Sequence, residues 1–189
     1  MSLMVHPFRP SLVCIYFAAF LCASPLRAQK LVVYDNLEQL QSRISRAGDT
    51  TLVLNFWATW CIPCVEELHY FDVLQENYGS QNVQVVLVSL DFKSNIEKKV
   101  LPLLKRKQLK SEVALMADQD LNAWIPMIYE GWDGGIPATL VMQGKKRLFK
   151  SGKFANPVEL DSFVRPLILD SEVFVAQKKT CKDISGGKK

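Results

Sequence analysis

The sequence predicts an α/β domain in which a central mixed β-sheet carries helices on both faces. Continuous apolar segments alternate with amphipathic segments in the first part of the chain, and a strand pair followed by a helix ends it. Strands that are covered on both faces have uninterrupted apolar sequences of this kind. The chain has 189 residues, of which 49% are hydrophobic, and this supplies the core that one such domain needs.

The strands are predicted where apolar residues run continuously. Residues 51–58 are β-branched and aromatic, with Asn55 the one strongly polar residue after the start, which indicates a buried central strand. Further strands are predicted over residues 83–90, 112–116, 138–142 and 147–150, the last two joined by a turn at residues 143–146.

The helices are predicted where apolar residues recur at helical spacing, namely over residues 35–47, 65–78, 95–109 and 157–169, with a short turn over 118–124. Gly48 is expected to end the first helix, Pro102 to kink the third and Asn156 to cap the last. The inward face of helix 65–78 is expected to be formed by Leu68, Phe71, Val73, Leu74 and Tyr78.

Residues 1–28 are expected to be a signal peptide, followed by a domain over 29–177 and a flexible Lys- and Gly-rich tail over 178–189. The apolar segment 12–23 is about 18 Å long as a helix, which is short of a membrane span of roughly 30 Å. Cleavage after Ala28 or near Ser24 agrees with the small residues there. An uncleaved membrane anchor is the alternative, and either form places the protein in the periplasm.

The formal net charge of +4 falls to +2 without residues 1–28, which carry Arg9 and Arg27 and no acidic residue. A charge this small argues against a nucleic-acid-binding protein. The same cleavage leaves Cys61, Cys64 and Cys181. An odd number of cysteines, two of them close together, indicates redox chemistry rather than a disulfide framework.

Cys61 and Cys64 lie three residues apart, where a predicted buried strand meets a predicted helix. Backbone N–H groups at a helix N-terminus favour a thiolate, and thiols in such pairs have pKa values of about 3.5 to 7.5. Pro63 fits the first helical turn. No metal site is expected, because no second cysteine pair lies nearby and His6 and His69 are the only histidines. A separate signal is Pro137, which stands just before a strand.

Together, the segment Asn-Phe-Trp-Ala-Thr-Trp-Cys-Ile-Pro-Cys at 55–64 and Gly135-Ile136-Pro137 resemble the thioredoxin superfamily over residues 31–169. The pattern is most similar to the exported TlpA/ResA-like thiol-disulfide oxidoreductases, because Glu67 follows Cys64 by three residues. Residues 95–132 resemble the insertion of that branch before the cis-proline. His69 departs from the pattern, which has proline there, and its role stays open.

The resemblance implies that Cys61 is the nucleophile and that Cys64 resolves the mixed disulfide. Glu67 is implied to be a proton shuttle or a tuner of the thiol pKa, and the alternative is a solvated carboxylate beside Glu66. Asn55 is expected to be a hydrogen-bonded buried amide.

Substrate binding is expected at Trp60, Pro63, Ile136 and a cis Pro137. Ile136 would offer backbone hydrogen bonds to an extended substrate chain. Trp57 is expected to pack in the core.

Three further features have two interpretations each. Trp124, Tyr129 and Trp132 form either a covered loop core or an apolar rim for a partner. The basic face from Lys98 to Lys110 is either solvated or a site for an acidic partner. Cys181 is either an incidental thiol or a disulfide-forming one.

The function expected by resemblance is disulfide exchange with protein substrates, more as a reductase, with a membrane-bound electron donor and no cofactor beyond the Cys61–Cys64 disulfide. A thiol peroxidase is one alternative, although its Pro-x-x-x-Thr-x-x-Cys site is absent, since Thr59 stands two residues before Cys61. A non-enzymatic protein-binding module is the other.

Overall fold

Strand β2 (Thr51–Trp57) lies inside a six-stranded sheet of a computed structural model that describes residues 31–169. The strands are β1 (Leu31–Tyr34), β2, β3 (Val83–Ser89), β4 (Glu112–Met116), β5 (Ala138–Gln143) and β6 (Lys146–Ser151). Their order in the sheet is β1-β4-β3-β2-β5-β6. The first four in this order are parallel to their neighbours, whereas β5 runs antiparallel to β2 and to β6. The predicted mixed sheet is therefore confirmed.

Five α-helices accompany the sheet in the described part of the chain: α1 (Leu37–Ser45), α2 (Ile62–Tyr78), α3 (Leu101–Lys107), α4 (Leu121–Ile128) and α5, which covers residues 157–169. Alternate residues of β2 point to opposite faces, so that Val53 and Trp57 pack in one cluster while Leu52, Leu54 and Phe56 pack in the other. Apolar residues of α2, α3 and α5 join the first cluster, and those of α1 and α4 join the second. Helices thus cover both faces, as predicted.

The segment predicted as one helix over 95–109 consists of three pieces. A 3₁₀ turn (Lys93–Asn95) and a π-helical turn (Ile96–Val100) precede α3. Pro102 lies at the second position of α3, where its missing N–H is tolerated, so a new helix begins there instead of a kink inside a longer one.

Three other predicted helices have different bounds. The first, α1, ends at Ser45 with Arg46 as its C-cap, so it stops before Gly48, which was expected to end it. α2 begins at Ile62, earlier than predicted, and Val73 on it is exposed rather than inward. The predicted turn at 118–124 is displaced to α4, because the Asp118 carboxylate accepts from the backbone of Asp120 and the Asp120 carboxylate then accepts from Ala123 to cap the helix. Asn156 caps α5 as predicted, accepting from the backbone of Glu159.

Strand β1 was not predicted from the sequence. It has four residues and pairs only with β4 at the edge of the sheet. Among the helices of residues 31–169, none combines the length and apolar character required to cross a membrane.

Candidate active site

The turn between β2 and α2 positions the two cysteines. Its chain reverses at residues 58–61, where the backbone N–H of Cys61 donates to the carbonyl of Ala58 at 3.1 Å. Cys61 is then the N-cap of α2, and the backbone N–H of Cys64 lies 3.3 Å from the Cys61 Sγ. Cys61 and Cys64 form a disulfide with their Cα atoms 5.3 Å apart. The Cys61 sulfur therefore lies at the positive end of a 17-residue helix.

The Ile136–Pro137 segment faces this disulfide. Its peptide bond is cis, as the resemblance implies. The Cys61 Sγ lies 3.8 Å from the carbonyl oxygen of Ile136. Pro137 is buried immediately before β5, which is hydrogen-bonded to β2, and this pairing brings two segments far apart in sequence together.

Glu67 is fully buried one helical turn after Cys64, so the interpretation of a solvated carboxylate is wrong. Its Oε1 accepts from the Asn55 side-chain amide at 3.2 Å, and its Oε2 accepts from the backbone N–H of Phe154 at 2.8 Å. Its neighbour Glu66 is the exposed one and forms an ion pair with Lys153.

Burial raises the pKa of Glu67 from its ordinary value of 4.5 to about 7. The hydrogen bonds from Phe154 and Asn55, and the charges of Lys153 and Lys150, lower the pKa only in part. A carboxyl group with a pKa near neutrality can both release and accept a proton at physiological pH.

Asn55 connects the helix side of the site to the strand side. Its amide nitrogen donates to Glu67 and also to the Thr139 hydroxyl on β5, at 3.1 Å. The prediction of a hydrogen-bonded buried amide is confirmed, and so is the burial of Trp57 in the core.

The predicted substrate-binding side chains differ in exposure. Trp60 is 61% exposed, and Pro63 is also exposed beside Ile62 at 72%. Cys61 is only 6% exposed and Cys64 is fully buried, so Cys61 is the more accessible of the pair. Their roles as nucleophile and resolving thiol stay predictions.

Trp124 and Trp132 form a covered core, and for them the interpretation of an apolar rim is wrong. Both are buried, and their indole N–H groups donate to the carbonyls of Asp118 and Gly135. Tyr129 is half-buried and stacks on Phe149 at 4.3 Å.

The remaining predicted features lie away from the cysteine pair or outside the described residues. His69 is exposed and packs edge-on against Tyr70, with ring centroids 4.4 Å apart. The basic face of α3 and the segment before it is exposed. Residues 1–28, the tail over 178–189 and Cys181 lie outside the described residues.

Three residues at the site were missed. Thr139 and Phe154 complete the surroundings of Asn55 and Glu67, and Asp91 binds the turn before Cys61. Asp91 directly follows a predicted buried strand. Polar residues at the carboxyl end of a strand in an open α/β sheet indicate a binding or active site, so this position was a signal in the sequence. Phe154 acts through its backbone N–H, for which no sequence signal exists. Within residues 31–169, the structure shows no cluster of three or more acidic, histidine or cysteine side chains that could hold a metal ion.

Comparison with known proteins agrees with this geometry. The chain is 37% identical over 59 residues to the thiol-disulfide oxidoreductase ResA of Oceanobacillus iheyensis, covering 31% of each chain. It is 36% identical over 88 residues to ResA of Bacillus cereus, covering 47% of this chain and 49% of that one. The matched segments thus span less than half of the length of these relatives.

Two solved structures show the same fold. A putative thiol:disulfide interchange protein DsbE from Chlorobium tepidum superposes with a TM-score of 0.55 at 24% identity, over 66% of this chain and 84% of that one. A thioredoxin-related protein from Neisseria meningitidis serogroup B superposes with a TM-score of 0.53 at 23% identity, over 71% and 91%. The predicted thioredoxin-like fold is confirmed. Since the model of the AhpC/TSA family matches residues 28–148, more than half of the sequence, the chain belongs to this thioredoxin-like family.

Proposed function

We propose that this chain is a thiol-disulfide oxidoreductase that exchanges disulfides with protein substrates through Cys61 and Cys64. The observation that carries the proposal is the disulfide at the N-terminus of α2, with the Cys61 sulfur 3.8 Å from the Ile136 carbonyl before cis-Pro137. The similarity to ResA proteins over the segments described above supports the same activity.

In the first step, the Cys61 thiolate of the reduced protein attacks one sulfur of a substrate disulfide. A mixed disulfide forms, and the other substrate sulfur leaves as a thiolate that takes a proton from solvent. The N-terminus of α2 and the Cys64 N–H stabilise the Cys61 thiolate, which makes this sulfur the attacking one.

In the second step, Cys64 attacks the Cys61 sulfur and the second substrate sulfur leaves. Cys64 is fully buried, so its thiol needs a base within the protein. Glu67, one turn along the same helix, takes this proton as a carboxylate and returns it to Cys64 when the disulfide is next reduced, while the leaving substrate thiolate takes a proton from solvent. Two electrons pass from the protein to the substrate, and the Cys61–Cys64 disulfide remains.

The substrate chain binds in an extended form beside Ile136, whose carbonyl borders the Cys61 sulfur. Main-chain hydrogen bonds of this type give affinity with little dependence on sequence. Trp60 and Pro63, close to Cys61 in sequence, contribute exposed apolar surface.

The direction is reduction, and the protein acts outside the cytoplasm after export by residues 1–28. A reductase in an oxidising compartment needs a supply of electrons, which a membrane-bound dithiol donor provides. The Cys61–Cys64 pair is itself the redox centre, and no further cofactor takes part.

The test is a redox titration of the full chain, followed by the fluorescence of Trp57 and Trp60 near the disulfide. A potential near about −270 mV, as in thioredoxin, is the expected result. A potential near about −120 mV would make the protein a disulfide donor, and the absence of a two-electron transition would exclude an oxidoreductase.

The two alternatives make different predictions. A thiol peroxidase would carry a Pro-x-x-x-Thr-x-x-Cys site, whereas Thr59 stands two residues before Cys61 and its hydroxyl donates to Asp91 at 2.6 Å. Consumption of hydrogen peroxide by the reduced protein would nevertheless support it. A binding module predicts that Cys61→Ser keeps the biological activity, whereas we expect this substitution to abolish it.

A further inference from the structure

The basic face from Lys98 to Lys110 is a charged surface that the proposed reaction does not use. This range has six basic residues and no acidic residue. The rest of residues 31–169 has nine basic and sixteen acidic residues. The formal charge is therefore +6 on this one segment and −7 on the remainder, although the domain as a whole is nearly neutral.

The segment folds with its apolar side inward and its basic side outward. Val100, Leu103 and Leu104 are buried in the first of the two core clusters. All six basic side chains of the face are exposed, namely those of Lys98, Lys99, Lys105, Arg106, Lys107 and Lys110. The positive charges of the segment thus lie together on the surface of the molecule.

Five of the six charges are not neutralised by an ion pair. Lys110 pairs with Glu76, but among residues 31–169 no ion pair includes Lys98, Lys99, Lys105, Arg106 or Lys107. Outside the face, by contrast, five basic residues each have a carboxylate partner, namely Arg43, Lys93, Lys150, Lys153 and Arg165. The face therefore keeps positive charge that an acidic molecule can neutralise.

The basic face lies beside α2, the helix that carries the cysteines. Its end is attached to this helix, because the Asp72 carboxylate accepts from the backbone N–H of Lys110 at 3.0 Å. The pKa of Glu66 is lowered by its ion pair with Lys153 and also by the charge of Lys107, so Lys107 is near Glu66. Glu66 belongs to the first turns of α2, close to the cysteine pair. A polypeptide that covers the face is thus within reach of the disulfide.

We propose that the basic face binds an acidic segment of the protein substrate while Cys61 exchanges its disulfide. This inference rests on the proposed function and adds to it a class of substrate, namely proteins with an acidic segment near the reactive disulfide. Attraction between opposite charges raises the rate of association and orients the partner. The advantage of an acidic substrate therefore lies in kcat/KM and decreases with added salt.

The structure favours a polypeptide over an anionic membrane surface as the partner of this face. Helices that bind a membrane surface insert their apolar side chains between the lipids. The apolar side chains of this segment are instead buried in the core. The acidic remainder of the domain would moreover be repelled by an anionic membrane, whereas an acidic segment of a protein contacts the basic face alone.

The experiment uses the full chain and two disulfide-linked peptide dimers with the same neutral sequence around the cysteine. A flexible Gly-Ser linker joins this sequence to a tail of Glu residues in one dimer and to an equally long tail of Gln residues in the other. Steady-state reduction with an excess of dithiothreitol, after subtraction of its direct reaction, gives kcat/KM. We expect a value about 5- to 10-fold higher for the Glu dimer at about 10 mM salt, and nearly equal values at about 1 M salt.

The variant Lys99→Gln/Arg106→Gln tests whether this preference arises at the basic face. It removes one charge from the segment before α3 and one from α3 itself. We expect it to lower the preference for the Glu dimer at low salt by about 3-fold and to leave kcat/KM for the Gln dimer unchanged.

The matched control is Arg46→Gln/Lys145→Gln, which changes the net charge by the same amount. Both residues are exposed, lie outside the basic face and form no ion pair within residues 31–169. The preference for the Glu dimer should therefore be retained in this variant.

Equal kcat/KM values for the two dimers at low salt would overturn the inference. So would a preference that Lys99→Gln/Arg106→Gln keeps, since the Glu tail would then bind elsewhere, for instance at the basic residues of 178–189. If the dimers react equally and the wild type binds phosphatidylglycerol vesicles more tightly than this variant does, the face binds a membrane instead. Failure of the wild type to reduce either dimer would contradict the proposed function, so the two failures are distinguishable.

Discussion

The protonation of the Glu67 carboxyl group affects both the proposed chemistry of the site and the free energy of unfolding. Its pKa is about 7 in the folded protein against an ordinary value of 4.5, because the group is buried. Between these two values the folded protein binds more protons than the unfolded chain. Stability therefore falls as the pH rises through this window, by about 3 kcal/mol in total.

Replacing Glu67 with glutamine should remove this pH dependence. We expect urea unfolding of wild type to give a lower free energy at pH 8 than at pH 5, and we expect the difference to shrink by about 2.5 kcal/mol in Glu67→Gln, because this interval covers most of the window. Glu66→Gln is the control, because Glu66 is exposed and its pKa is lowered by Lys153. A Glu67→Gln variant with the same pH dependence as wild type would show that Glu67 is ionised in the folded protein throughout this range.

Asn55 tests the same buried region from the strand side. Asn55→Asp would place a second carboxyl group where the amide now donates to Glu67 at 3.2 Å. Two carboxylates this close cannot both ionise at low cost, so we expect a loss of about 2 to 4 kcal/mol at pH 8 and a smaller loss at pH 5. Urea unfolding at both pH values measures it. The double variant Asn55→Asp/Glu67→Gln should recover much of the loss at pH 8, and failure to do so would contradict a charge-based cause.

Among helices and strands, the sequence predicts most accurately those in which one apolar periodicity continues long enough to exclude the other type of element. The continuous apolar segments of β2 and β3 and the helical periodicity of α2 and α5 were identified. The short β1 was missed because four residues carry no distinguishable period, and its partner β4 lies about 80 residues away in sequence. The break before α3 was missed because a π-helical turn has nearly the same apolar spacing as an α-helix.

Helix α1 shows how much one cap contributes to a short element. It has nine residues, and the Asn36 side chain accepts from the backbone N–H of Gln39 at 3.1 Å. Asn36→Ala should lower the free energy of unfolding by about 1 kcal/mol. Ser42→Ala, on the exposed side of the same helix, should leave stability unchanged or raise it slightly. Urea unfolding measures both variants. Equal losses of unfolding free energy in Asn36→Ala and Ser42→Ala would contradict a capping role of Asn36.

For the whole molecule, the site arises where four distant parts of the chain meet. Cys61, Cys64 and Pro137 could be predicted because they form recognisable motifs. The environment of Glu67 could not, since it depends on the Asn55–Thr139 register across β2 and β5 and on a backbone N–H of the loop after β6. The spacing of Cys64 and Glu67 along the helix is equally compatible with a solvated carboxylate. Glu67 becomes a buried acid only because the loop after β6 packs against α2.

The stability of the fold is also linked to the direction of electron transfer, because the Cys61–Cys64 disulfide forms in the folded and in the unfolded chain with different potentials. By a thermodynamic cycle, the difference in unfolding free energy between the oxidised and reduced protein equals the difference between the disulfide potentials of the unfolded and folded chain, with about 30 mV corresponding to 1.4 kcal/mol. A reductase has a folded potential below that of the unfolded chain, so its disulfide form is the more stable one. We therefore expect the oxidised protein to unfold at a higher urea concentration than the reduced protein.

Urea titrations with and without dithiothreitol measure this difference in stability. The double variant Cys61→Ser/Cys64→Ser, which has no disulfide to reduce, should give the same unfolding midpoint in both titrations. Greater stability of the reduced protein would mean that the fold favours release of the disulfide, and the proposed direction would be reversed.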